Sequence, residues 1–186
     1  MKTAYARIMT VLLCTLAAGV LFSPTTQAAT KGEINASVTA AKNRFTKDVK
    51  GAGEYLKIAK GILVMPNITK AGFLVGGQYG TGALQVGGKT VAYYSLAGAS
   101  FGFQAGAEKF DLIILFITDE ALNAFRNSKG WEAGVDAEVT MIKAGADVSL
   151  ETLRSQSPVV GFVIDQKGLM GGVSVKGSKF TQTQPK

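Results

Sequence analysis

Glycine spacing constrains this chain more than any other feature. Gly72, Gly76 and Gly80, then Gly98, Gly102 and Gly106, form two sets spaced by four. Both sit in segments, Gly72 to Val86 and Val91 to Ala107, that are dense in glycine and aromatic residues and have no helical period, so both read as strands. In a strand, a spacing of four puts each set on one face. Glycine there costs conformational entropy, so three on a face imply close approach by a helix, another sheet or a tight curve. Small-residue packing of helices within a membrane is the rival reading. It fails because Gln104 and Glu108 interrupt any candidate span.

The remaining elements follow from periodicity. Ile34, Val38, Ala41, Phe45 and Val49 fall at helical steps within Thr30 to Lys60, with Lys42, Arg44, Lys47, Asp48 and Lys50 around the rest. This predicts an amphipathic helix. Gly51 and Gly53 break it, leaving Glu54 to Lys60 as a second helical piece. Ile62 to Met65 is a short apolar run stopped by Pro66-Asn67. Phe110 to Ile117 is nearly continuous in apolar residues, as in a strand buried on both faces. Thr118 or Asp119 caps a short helix, Glu120 to Arg126. Alternation over Trp131 to Ile142 predicts a half-buried strand. Further strands are expected at Val159 to Asp165 and Leu169 to Val175, joined by a turn at Gln166-Lys167-Gly168. Thr181 to Lys186 reads as a mobile polar tail.

The N-terminus reads as an address. Lys2 and Arg7 precede an uncharged apolar run from Ile8 to Phe22, and Ser23-Pro24 and Thr26-Gln27-Ala28 follow. This is the layout of a secretory signal cleaved after Ala28. A run of 15 residues is short of the roughly 20 that a spanning helix needs. Cys14 lacks the small preceding residue of a lipidated cysteine. Residues 1–28 are thus expected to be a signal peptide and 29–180 one domain, periplasmic or secreted and peripheral on the membrane. Without Cys14 the chain has no cysteine for disulfides, so stability rests on a packed core. Losing Lys2 and Arg7 lowers the formal charge from +7 to +5, an excess that suits anionic surfaces.

Catalytic and metal chemistry find little footing. Gly98-Ala99-Ser100-Phe101-Gly102 spells the nucleophile elbow of serine hydrolases, but the sequence has no histidine to act as base. Gly76 to Gly82 matches neither the dinucleotide nor the Walker pattern. Zinc and copper sites lean on histidine and cysteine, and no Asp-x-Asp-x-Asp-Gly calcium loop is present. The expectation is no enzyme, no metal and no cofactor, with a carboxylate-only glycosidase as the remaining enzymatic alternative. Scattered cations with few arginines, together with the export signal, argue against nucleic acid.

Five ordered blocks carry a resemblance. They are Ala59 to Pro66, Lys70 to Gly77 with Gly80-Thr81-Gly82, Gly98 to Gly106, Asp111 to Phe116, and Lys167 to Val175. Together they resemble the SYLF domain, also called the yeast-type actin-regulator or Las-binding domain, over about Ile34 to Gly177. The resemblance implies lipid binding by an amphipathic N-terminal helix and a basic surface. Carried onto this sequence, the lipid-contacting residues are Lys42, Arg44, Lys47 and Lys50, with Phe45 as the apolar inserter and Lys57 and Lys60 in the second helical piece. The partner is then an anionic phospholipid membrane, with no protein partner identified. The fold class expected is α+β: an antiparallel, glycine-rich, curved or barrel-like sheet packed with N-terminal amphipathic helices. A cell-envelope structural or protein-interaction module without lipid affinity is the alternative, distinguished by whether the Ile34 to Val49 stripe is buried.

Overall fold

Thr30 starts the first helix by a reciprocal cap. Its hydroxyl accepts from the Glu33 N–H, and the Glu33 carboxylate accepts from the Thr30 N–H at 2.8 Å. A computed structural model describes residues 29–143, 149–168 and 174–186. In it this helix, α1, runs Lys31–Asp48, and Gly51, at φ +81°, turns the chain into α2 (Ala52–Ile58). Two very long strands follow, β1 (Gly61–Val86) and β2 (Lys89–Phe116). After them come α3 (Asp119–Asn127), β3 (Trp131–Glu132), β4 (Thr140–Lys143), α4 (Leu150–Gln156), β5 (Val159–Gly168) and β6 (Ser178–Thr183).

The frame of the molecule is one antiparallel hairpin, paired from Gly61↔Phe116 to Val86↔Lys89. Its turn is Gly87-Gly88, with both residues at positive φ, as a tight two-residue hairpin turn requires. The other edge of β2 serves two partners in succession. Tyr93–Gly98 pair with β6, and Glu108–Phe116 pair with β5. β3 extends β6, and β4 lies parallel to β5, so the sheet is mostly antiparallel.

The hairpin cannot be straight. Extended, Val64 and Gly82 would lie roughly 60 Å apart, yet a Cβ on Gly82 would sit 2.0 Å from the Val64 carbonyl oxygen. One on Gly80 would sit 2.8 Å from Ile68 Cγ1. β1 therefore curls until its two halves touch, and β2 curls with it, giving a half-barrel. The two glycine sets lie in paired stretches of β1 and β2, but only Gly72 and Gly106 are direct partners; Gly76 and Gly80 oppose Ser100 and Leu96, and Gly98 and Gly102 oppose Gln78 and Leu74. A tight curve is one of the three causes the spacing allows, and the close approach at Gly80 comes from it. The polypeptide through Ser100 is strand, not strand-to-helix, so no nucleophile elbow forms.

Both faces of the sheet are covered. Ile62, Val64, Ile113 and Leu115 pack with Ile34, Val38, Ala41 and Phe45 of α1 and with Phe162 of β5. Leu63, Met65, Leu112, Ile114 and Phe116 point to the other face, where Leu122 and Phe125 of α3 join Trp131 and Phe180. Phe110 to Ile117 is buried throughout, as its apolar run predicts. Four aromatic rings (Phe116, Phe125, Trp131 and Phe180) lock this second layer, Phe125 and Trp131 meeting edge-on at 5.4 Å.

Three local expectations are corrected, and one helix was not foreseen. Trp131 to Ile142 is not one strand: Gly134, at φ +85°, and the Asp136 carboxylate accepting from the Glu132 N–H make a turn there. Val135 is consequently 73% exposed. Helix α4, capped by Ser149, carried no periodic signal strong enough to find. Gln166 to Gly168 continues β5 instead of turning, while most of the strand expected at Leu169 to Val175 lies outside the described residues. The polar tail is ordered: Thr181 to Thr183 complete β6, Pro185 is buried, and the Lys186 carbonyl accepts from the Lys31 N–H at 2.9 Å. Pairing with β2 satisfies backbone groups there, so polar composition did not preclude order. The expected signal peptide, residues 1–28, lies outside the described residues.

Candidate functional site

The segment from α1 to the start of β1 carries every residue that the sequence singles out for lipid contact, and the fold assigns them different duties. Phe45 is fully buried, its ring edge-on to Phe162 at 5.0 Å. Ile34, Val38, Ala41 and Val49 are buried with it. The apolar stripe thus covers the domain's own sheet, and Phe45 as an inserting residue is corrected: its ring is packed inside the fold and cannot reach a bilayer. Helix amphipathicity usually serves the core in this way.

Arg44 is corrected too. Its Nε and Nη2 donate to the Asp111 carboxylate at 2.8 and 2.6 Å, and Nε stands 3.5 Å from Asp165 Oδ2. The Asp111 side chain is only 2% exposed and also accepts from the Asn67 N–H at 2.9 Å. Asn67 and Asp165 are the two non-glycine residues at positive φ among those described, and both adjoin register shifts in the strands. A carboxylate taken out of water requires such partners, so Arg44 ties α1 to β1, β2 and β5.

The lysines differ. Lys42 is half-buried and donates to Gln85 Oε1 at 2.8 Å. Lys47, in the last turn of α1, and Lys50, just beyond it, are exposed. Lys57 pairs with Glu54 at 2.7 Å and Lys60 with Asp119 at 3.4 Å, all four being exposed. Exposed pairs of this kind hold their partners weakly, so both ammonium groups remain exchangeable. The structure therefore leaves Lys47, Lys50, Lys57 and Lys60 exposed, at the end of α1, in the turn after it, on α2 and just beyond α2, and withdraws Arg44, Phe45 and, in part, Lys42.

Sequence reasoning missed the buried polar groups. Asp111 had a usable signal, as an acid inside an otherwise apolar run must be paired. Glu108, 1% exposed and bonded to Gln166, and Gln78, 5% exposed and donating to Ser178 Oγ, had none, because their burial follows from the curl. Among the described residues no group of three or more His, Cys, Asp or Glu could hold a metal ion, and no helix is long and apolar enough to cross a membrane.

Residues 97–186, comprising most of β2 and everything after it, match the Ysc84 family, described as Las17-binding protein actin regulator. The domain belongs to the SYLF (Ysc84) family. Its chain is 31% identical over 125 residues to human SH3 domain-containing YSC84-like protein 1, covering 64% of this chain and 36% of that protein. The bovine protein of the same name is 33% identical over 128 residues, with the same coverage. LAS seventeen-binding protein 3 of Saccharomyces cerevisiae is 30% identical over 153 residues, 78% of this chain and 33% of its own length. The chain thus spans about a third of the length of these curated relatives. In SYLF terms, the Gly98 to Gly106 block lies at the bend of β2, and the Asp111 to Phe116 block is its doubly buried end.

Proposed function

We propose that this SYLF-family domain is a non-enzymatic module that adheres to anionic phospholipid membranes through the exposed lysines of its α1–α2 layer. The observation that carries the reading is charge placement. Residues 31–60 hold seven Lys or Arg against three Asp or Glu, and Lys47, Lys50, Lys57 and Lys60 are exposed along this segment. A cation near an anionic bilayer contributes about 1 kcal/mol, screened within a Debye length of about 8 Å at physiological salt. Four therefore give an affinity on the order of millimolar, with no aromatic insertion to strengthen it. Adhesion is reversible and salt-sensitive. With residues 1–28 acting as an export signal, the membrane concerned is an envelope bilayer rich in anionic glycerophospholipid.

The complete burial of the α1 stripe favours a second reading, an envelope or protein-interaction module without lipid affinity. Vesicle flotation separates the two. Anionic vesicles should float the protein at about 20 mM salt and release it near 500 mM. Neutral vesicles should not float it, and replacing all four lysines by glutamine should abolish the effect. Failure to float with anionic vesicles in dilute buffer overturns the membrane reading and leaves the second.

A further inference from the structure

On the face of the sheet opposite α1, a cleft of about 270 Å³ lies between the start of β2 and the end of α3. Tyr94, Asn123, Arg126, Asn127 and Gln182 line it, with Val91, 48% exposed, among its apolar lining residues. Each polar group arrives from a fixed position. Asn123, Arg126 and Asn127 stand at steps of three and four on α3, which puts them on one helix face. Gln182 of β6 is the direct cross-strand partner of Tyr94. The Tyr94 ring is held against Phe125, with centroids 4.7 Å apart.

Tyr94 is the telling member. The residue is only 2% exposed. Its hydroxyl is not among the enclosed, unpartnered side-chain atoms, which among the described residues are Gln78 Oε1 and Glu108 Oε2; it opens onto the cleft and has no hydrogen bond to a described residue. A hydroxyl that opens onto the cleft can donate to a ligand seated there. Burial pushes the Tyr94 hydroxyl above the ordinary tyrosine value while the Arg126 guanidinium pulls it down, and both residues line the cleft. No Asp or Glu lines the cleft, and Arg126 makes no salt bridge with a described residue. Every polar side chain there can donate a hydrogen bond, and the net charge is that of one cation.

We propose that this cleft binds a phosphate-type oxyanion, a phosphomonoester or phosphodiester, either free or at a lipid headgroup. Donors approach from two walls, α3 and the β2–β6 pair, which suits a tetrahedral group better than a planar carboxylate. The guanidinium supplies the charge-assisted bonds. The site is separate from the α1–α2 lysines, so either proposal can fail alone.

The test is an NMR titration of the isotopically labelled protein, read on the side-chain amides of Asn123, Asn127 and Gln182. The probes are inorganic phosphate, glycerol 3-phosphate and acetate at matched ionic strength. The phosphates should give saturable shifts, with acetate about tenfold weaker. Arg126→Gln should weaken phosphate about tenfold and leave the melting temperature unchanged, since Arg126 is exposed. Tyr94→Phe, which keeps the ring, should weaken it about fivefold. Vesicles containing phosphatidylglycerol, with phosphatidylcholine as control, form the second arm. Saturation by soluble phosphates alone assigns a soluble ligand, and perturbation of the same amides by anionic vesicles assigns a headgroup; both uphold the site. No saturable shift in either arm, or shifts that survive Arg126→Gln, overturn it.

Discussion

Replacing Arg44 by methionine keeps the aliphatic stem and removes only the guanidinium, which makes it the sharpest probe of what α1 is for. The variant leaves Asp111, with a side chain 2% exposed, only the Asn67 N–H as a partner. Breaking a fully buried pair costs about 3–5 kcal/mol. Arg44 itself is 32% exposed, so part of the interaction is already screened, and the Asn67 bond survives. A loss of about 2–3 kcal/mol is the resulting expectation. For a domain of this size each kcal/mol moves the melting temperature by about 2–4 °C, so Arg44→Met should melt about 5–10 °C below the parent by calorimetry. Lys47→Met removes the same charge from an exposed site one turn away and should melt within about 2 °C of the parent. Asp111→Asn combined with Arg44→Met should cost less than the two changes summed, because the buried charge is gone. Equal melting of Arg44→Met and Lys47→Met would refute the assignment of Arg44 to the fold.

Three further outcomes follow from the geometry. Gly82→Ala places a Cβ 2.0 Å from the Val64 carbonyl oxygen and should cost more than about 3 kcal/mol, whereas Gly53→Ala in α2, with nothing within 4 Å, should stabilise by about 0.5–1 kcal/mol; chemical denaturation of both reads the contrast. The Thr30 backbone N–H, followed by its hydroxyl, holds the Glu33 carboxyl below its ordinary value. The stability this group contributes is therefore present above the unfolded-state value and is lost as pH falls through the lower folded-state one; the melting difference between parent and Glu33→Gln should shrink from about pH 5 to about pH 3. Phe125→Ala empties the centre of the second aromatic layer and should cost about 3–5 kcal/mol, with the emission of Trp131, 2% exposed in the parent, shifting to the red.

Period and glycine placement made most of the scaffold legible in the sequence. The steps from Ile34 to Val49, the break at Gly51 and the apolar run from Phe110 each map onto a helix, its end and a doubly buried strand. Where legibility failed, the deciding interaction was long-range or the alternation was accidental. Ala133, Val135 and Ala137 alternate with polar residues, yet Gly134 and Asp136 impose a turn that local chemistry outvotes the pattern to make. The site was harder to read. Amphipathicity shows that α1 has an apolar face but not what covers it, and nothing in the spacing pairs Arg44 with Asp111, 67 residues away. Tyr94 and Gln182 meet only because β6 returns to the start of β2.

The Gly87-Gly88 turn also has a kinetic meaning. It joins the two strands that make up most of the sheet, and the pairs nearest it are separated by only a few residues. Zipping outward from a two-residue turn closes small loops first, so the cost of each new pair stays low. Once formed, β2 is a finished template along which β5 and β6 anneal as late arrivals. A domain so rich in strand should on that account reach its native state faster than its overall strand content suggests, with the pace set by the curl at the glycine bend.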